Sequence, residues 1–195
     1  MITVLDIETS VDFESKNRVS SPFFGQQIVF VGTQSFIPKQ YLEEKQIFFF
    51  HEEVEPTHGG VDALQDVLDR TTCLVGHNLK FDLQWLRACG FTYNRSLFDT
   101  MIAEYLLARS TKVALSLAQC CLRRGLPQKR GDMTEDYLNN KVSFENIPPS
   151  IVSEYCMNDV RITEQLASQQ IIEFNRSWNY YIPSLKEGAV YAKCA

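Results

Sequence analysis

The 195-residue chain has the length of one domain with a substantial core, and its apolar and charged fractions, 45% and 22%, are those of an ordinary globular protein. Its formal charge of −5, from 19 Lys plus Arg against 24 Asp plus Glu, argues against a general nucleic-acid coat and leaves room for an enzyme with a local basic track. No run of about 18 apolar residues is present to span a membrane, and no basic-then-apolar leader is seen. The six cysteines show no C-x-x-C spacing, so reduced core thiols in a cytoplasm-like compartment are expected, without a structural zinc.

Residues 1–9 alternate β-branched and other side chains and read as a strand. Asp6 and Glu8 then share a face with Ile2 and Val4, which should run into the interior. Residues 11–24 are a polar loop, and strands follow at 27–32 and 46–50, joined by hairpins of which the second is long and irregular. A helix opening at Gly59-Gly60 carries Val61, Leu64, Val67 and Leu68 on one side and leads to a fourth strand at 72–76. Such a crossover normally yields a parallel neighbour. Asn78 stands at a helix N-cap, with Leu79, Leu83 and Leu86 on the buried side and Gly90 as the stop. A short strand near Phe98 leads to Asp99 as the cap of a helix over 100–108, and another helix covers 113–124. Residues 126–147 are polar and weakly periodic, which predicts a mobile excursion. A long helix runs from Pro148-Pro149 to about residue 175. The sum is an α/β chain in three layers, with a mixed sheet that is antiparallel in its first three strands and parallel later. The domain is expected over 1–175, with a tail at 176–195.

Three places carry chemistry. Two carboxylates, Asp6 and Glu8, at the end of an apolar strand repel each other unless a hard cation lies between them; a solvated acidic turn is the plain alternative. In the long helix, Ile151, Tyr155, Asp159, Ile162 and Leu166 form one stripe, so Asp159 interrupts an apolar face and needs a partner such as Arg161, or a cation. Asn78 and Asp82 sit beyond the fourth strand, where α/β sheets gather ligands, although a cap and a first-turn acid would look the same.

Taken together, D-x-E on the first strand, N-x-x-F-D after the fourth and Y-x-x-x-D in the late helix resemble the DEDD (DnaQ-like) superfamily of 3′–5′ exonucleases. Tyr155, four residues before Asp159, matches its Tyr branch. The stretches 76–82, 98–101, 105–107 and 116–118 are most similar to the proofreading domain of family A DNA polymerases, with RNase D the nearest competitor. The resemblance spans roughly residues 1–175.

This resemblance implies an RNase H-like fold and two divalent cations, Mg²⁺ or Mn²⁺, held by Asp6, Glu8, Asp82 and Asp159. Asp6 would bridge both ions and Tyr155 would orient the attacking water. Thr9 and Asn78 would contact the substrate, single-stranded DNA 3′ ends, with nucleoside 5′-monophosphates released. The expected setting is the cytoplasm, or wherever the source replicates DNA. A separately encoded DNA polymerase is a possible partner, and no membrane is involved. The alternatives are an RNase D-like exoribonuclease and a catalytically silent scaffold module. The basic residues Arg123, Arg124, Lys129 and Arg130, with Lys141, form either a solvated face or a track for the strand backbone. Phe144 or Tyr137 could stack on a base. His51 and His58 receive no metal role, and His77 is read as a packing or hydrogen-bonding residue.

Overall fold

A computed structural model describes residues 1–14, 20–37, 42–50, 60–109 and 111–185, side chains excepted at 42 and 177–185. Its sheet has the order β3-β2-β1-β4-β5. Strands β1 (Ile2–Thr9), β2 (Ile28–Ile37) and β3 (Leu42–Phe49) pair antiparallel, and β4 (Cys73–Gly76) and β5 (Ser96–Asp99) extend the sheet in parallel from β1. Helix α1 (Gly60–Arg70) leads into β4 and α2 (Leu79–Ala88) into β5, as parallel neighbours require. After β5 come α3 (Thr100–Leu107), α4 (Leu117–Arg123), α5 (Glu135–Asn139) and α6 (Pro149–Leu185). The chain is therefore α/β with a mixed sheet between helices, as its sequence predicts.

Side-chain parity on β1 decides what each face meets. Leu5 and Ile7 join Leu64, Leu68, Leu79 and Trp85 in a core beneath α1 and α2. Val4 packs with Val75, Val160 and Ala167 beneath α6. Asp6 and Glu8, on the Val4 face, therefore look toward α6. Burial of such large apolar side chains contributes about 1.5–3 kcal/mol each and fixes this register against a one-residue slip, which would turn both acids to the wrong face. Ile2, expected inside, is 37% exposed, because it faces a cleft shared with Glu164 and Ser168 on the polar side of α6.

Helix α6 lies unusually close to the sheet. Gly32 pairs with Asp6, and a Cβ there would come within 2.8 Å of Cys156 Sγ and 3.2 Å of Met157 Sδ and Val160 Cγ2. A side chain at this position would lift the helix, at about 1–3 kcal/mol for an overpacked core.

Other boundaries differ from expectation for identifiable reasons. β2 continues through Thr33, Gln34 and Ser35, whose polar character hides a strand; Ser35 bonds Thr3 at 3.0 Å, and Thr3 bonds Thr71 at 2.6 Å inside the core. The second connection is accordingly confined to residues 38–41, which lie outside those described, as do Gly59, His51 and His58. Val61 is 57% exposed because it precedes the buried turn of α1. Helix α4 starts at Leu117, since the Ser116 hydroxyl caps it through Gln119 N. Residues 126–147 are not a structureless excursion. They hold short 3₁₀ turns and α5, and Phe144 and Ile147 are buried against Val29, Phe30, Val152 and Tyr155. Helix α6 continues past residue 175 to Leu185.

Candidate active site

Asp6 and Glu8 project from the end of β1, Asp82 from the first turn of α2, and Tyr155 and Asp159 from α6. The structure brings them together, and the Asp82 carboxyl takes a hydrogen bond from the Ile7 backbone, which ties α2 to β1. Glu8, Asp82, Tyr155 and Asp159 are buried, at 8%, 4%, 6% and 1% exposure, and Asp6 is half-buried. Oδ1 of Asp159 is buried without a hydrogen-bond partner, while Oδ2 is ion-paired with Lys129. The Lys129 ammonium also stands 4.8 Å from the centre of the Tyr155 ring. Phe144 also packs against that ring, with centroids 5.9 Å apart. The Val11 amide donates to Ser143 Oγ at 2.7 Å, which fastens this segment to the end of β1.

The acids strain against one another. Burial, then the Asp6 charge, pushes the Glu8 and Asp82 carboxyls well above the usual range, and burial raises Asp6. Burial and Asp6 lift Asp159 from its ordinary 3.8 to about 6, although Lys129 opposes the rise. Burial disfavours the Lys129 charge, but Asp159 foremost, with Glu8 and Asp6, holds the ammonium above its usual value. Tyr155 is raised by burial and then by Glu8, so its hydroxyl stays protonated. The thiol of Cys156 is likewise raised, by burial and then by Asp6.

A testable linkage follows from these shifts. Between pH 4 and 6 the folded protein retains protons on Asp159 that the unfolded chain has lost, so folded stability falls as pH rises through that window. In EDTA the melting temperature is therefore expected to be higher at pH 5 than at pH 7. Glu8→Gln, which removes a crowded charge, should raise the pH 7 value by roughly 2–6 °C, read by circular dichroism. A lower melting temperature for Glu8→Gln would contradict this account of the cluster.

Asp99, expected to cap only α3, caps two helices. Its carboxylate accepts from Met101 N at 2.9 Å and Ile102 N at 3.4 Å, and also from Asn78 N at 3.1 Å and Leu79 N at 2.8 Å. Asn78 occupies the N-cap position of α2 with φ 64°, but its side chain makes no cap hydrogen bond. The αL conformation, tolerated by Asn, directs the chain into α2 while Asp99 takes over the capping. No sequence-local signal marks this, because the donors lie some twenty residues from Asp99. His77 is neutralised by burial and held by the Leu115 carbonyl at 2.9 Å and the Thr100 hydroxyl at 2.8 Å, the hydrogen-bonding role expected of it.

The predicted basic track divides. Lys129 reaches the acids, whereas Arg123 and Arg124 bind Glu104 at 3.1 and 2.8 Å, and Arg124 also binds Glu173 at 2.8 Å. Arg130 pairs with Asp132 at 3.1 Å, and Arg161, considered as a partner for Asp159, is exposed. Thr9 is buried, with its hydroxyl bonded to Ser20. Phe144 is buried and offers no stacking face, whereas Tyr137, packed against the same cluster, is only partly buried. Cys156, an apolar-looking core residue by sequence, turns out to adjoin the acids: its Sγ and carboxylate oxygens of Asp6 and Glu8 lie within 4.8 Å of one another.

Residues 6–170 match the 3′–5′ exonuclease family DNA_pol_A_exo1. The chain is 28% identical over 106 residues to DNA polymerase I of Borreliella burgdorferi, a match that takes in 54% of this chain and 11% of that protein. It thus spans only a small part of that relative's length. In fold it is similar to Brucella melitensis NrnC with bound Mg²⁺, with a TM-score of 0.54 at 16% identity, covering 95% of this chain and 83% of that one. The form of NrnC bound to pGG matches with the same TM-score, identity and coverage. No described helix is long and apolar enough to cross a membrane.

Proposed function

The chain belongs to the 3′–5′ exonuclease family within the DEDD superfamily, and from that premise we propose that it hydrolyses single-stranded DNA from the 3′ end in a proofreading manner, releasing nucleoside 5′-monophosphates. The observation that carries this reading is the meeting of Asp6, Glu8, Asp82 and Asp159 beside Tyr155, with one Asp159 oxygen left without a partner in the interior. A donor set of crowded carboxylates suits hard divalent ions, and burial together with the mutual repulsion of the acids, which raises their carboxyl pKa values, is what a bound cation would offset. The Mg²⁺ bound to NrnC, similar in fold, is consistent with this.

Two ions, Mg²⁺ or Mn²⁺, would be held by the four acids and would supply charge that acidifies water and offsets the charge developing on the phosphoryl oxygens. The protein's own groups do the rest. Tyr155, in contact with Phe144 and Lys129, keeps its hydroxyl protonated and would orient the attacking water. Lys129 lies where its ammonium can turn from Asp159 to a phosphate oxygen. Asn78, exposed and free of its capping duty, is a candidate substrate contact, and Thr9 on β1 would be one only by giving up its bond to Ser20. Arg123, Arg124 and Arg130 would serve the strand backbone only by leaving their present acids. A DNA polymerase, in the same chain or a separate one, is the proposed partner of the activity.

Tyr155→Phe is expected to lower kcat by about 10- to 100-fold with little change in KM, since a misplaced nucleophile costs rate rather than binding. The direct test is mononucleotide release from matched 3′-labelled DNA and RNA oligonucleotides with Mg²⁺ or Mn²⁺. A clear preference for RNA would put the exoribonuclease reading, to which the pGG-bound NrnC also points, in first place. Metal-stimulated hydrolysis of neither would leave a silent module.

A further inference from the structure

A fully buried thiol adjoins the carboxylates of this site. Cys156 Sγ lies 3.6 Å from the Asp6 carbonyl oxygen, in the space that Gly32 leaves open beneath α6. Sγ and carboxylate oxygens of Asp6 and Glu8 are within 4.8 Å of one another. That limit admits the roughly 3.6 Å that separates a sulfur and an oxygen ligand of one tetrahedral zinc ion, given bonds of about 2.3 and 2.1 Å. A second, independent feature points to a ligand here. Asp159 is 1% exposed, its Oδ1 has no hydrogen-bond partner, and its charge bears on both Glu8 and Cys156.

We propose that Cys156, with Asp6 and Glu8, gives this centre a second metal-binding mode, the capture of a thiophilic divalent ion of the Zn²⁺ class. The oxygens alone suit Mg²⁺ or Mn²⁺; a sulfur donor selects for softer ions. On capture, Sγ and the carboxylates bond the ion and the thiol proton leaves to solvent. Because Asp6 and Glu8 serve both modes, the softer ion excludes the hard one. The proposal rests on reading the cluster as a cation site, and does not depend on the substrate.

The test uses Co²⁺ as a coloured stand-in for Zn²⁺ and Mn²⁺ as a hard-ion control, added to the full chain after EDTA treatment and dialysis. Wild type is expected to show a near-ultraviolet sulfur-to-cobalt charge-transfer band that Zn²⁺ abolishes. Cys156→Ala and Cys156→Ser should lose that band and bind Co²⁺ about 10- to 100-fold more weakly, while Mn²⁺ binding followed by electron paramagnetic resonance persists. The serine variant nearly preserves volume and guards against a collapse caused by the alanine. A band that survives in a folded Cys156 variant would overturn the proposal by assigning the sulfur elsewhere. Mn²⁺ binding without any cobalt–sulfur band in wild type would overturn it too, leaving the cation site intact. Binding of neither ion would overturn the cation-site reading itself.

Discussion

Asp6→Asn is expected to reduce mononucleotide release by about 10³-fold or more, as loss of several kcal/mol of transition-state charge stabilisation requires. The size of the effect follows from position. Asp6 raises the pKa of Glu8, Asp82 and Asp159 alike, so its charge lies at the centre of the cluster, within reach of every other acid. The change removes a repulsive charge from a crowded place, so the metal-free variant should melt no lower than wild type. Activity and stability thus move in opposite directions, which separates a functional loss from unfolding. Residual activity within tenfold of wild type, after exclusion of a contaminating nuclease, would remove Asp6 from its assigned role.

Asp99→Ala should destabilise the fold by about 1–4 kcal/mol, because it removes two helix caps at once and each is worth roughly 0.5–2 kcal/mol. The carboxylate accepts from backbone amides of Asn78, Leu79, Met101 and Ile102, at the starts of α2 and α3, where it also faces the positive ends of both helix dipoles. Urea unfolding should show a lower midpoint with an unchanged slope. Asp99→Asn, which keeps acceptor oxygen but loses the charge, should fall between. The start of α2 also places Asp82, so activity should decline with the alanine variant even where it remains folded. A loss below about 0.5 kcal/mol would mean that water satisfies these amides as well as Asp99 does.

Much of this architecture was legible because it depends on local period and spacing. Alternation in β1 put Asp6 and Glu8 on one face, the helical stripe put Tyr155 and Asp159 on one side of α6, and the crossover through α1 predicted the parallel placement of β4. What escaped was set by partners distant in sequence. Residues 33–35 look like loop because their polar side chains find partners on neighbouring strands: Ser35 the buried Thr3 hydroxyl on β1, Thr33 the Gln46 carbonyl and Gln34 the Glu43 carboxylate on β3. Residues 126–147 look unstructured because their few apolar residues, Phe144 and Ile147 among them, are spaced by tertiary packing rather than by a helical or strand period. The double role of Asp99 and the pairing of Arg123 and Arg124 with Glu104 likewise join segments that no local pattern connects.

The contact between Cys156 and Asp6 spans 150 residues. Antiparallel pairing of β1 with β2 closes a far shorter loop, and loop-closure entropy grows with the length closed. Folding order is therefore biased toward a sheet that forms first and a helix that docks last. The repulsion between Asp159 and the other acids is deferred with it, since Asp159 joins them only at that closing step. Assembly of the proposed site becomes a report on the completion of folding: a nascent chain that has emerged only as far as residue 148 carries Asp6, Glu8 and Asp82 without Tyr155 and Asp159, which complete the cluster.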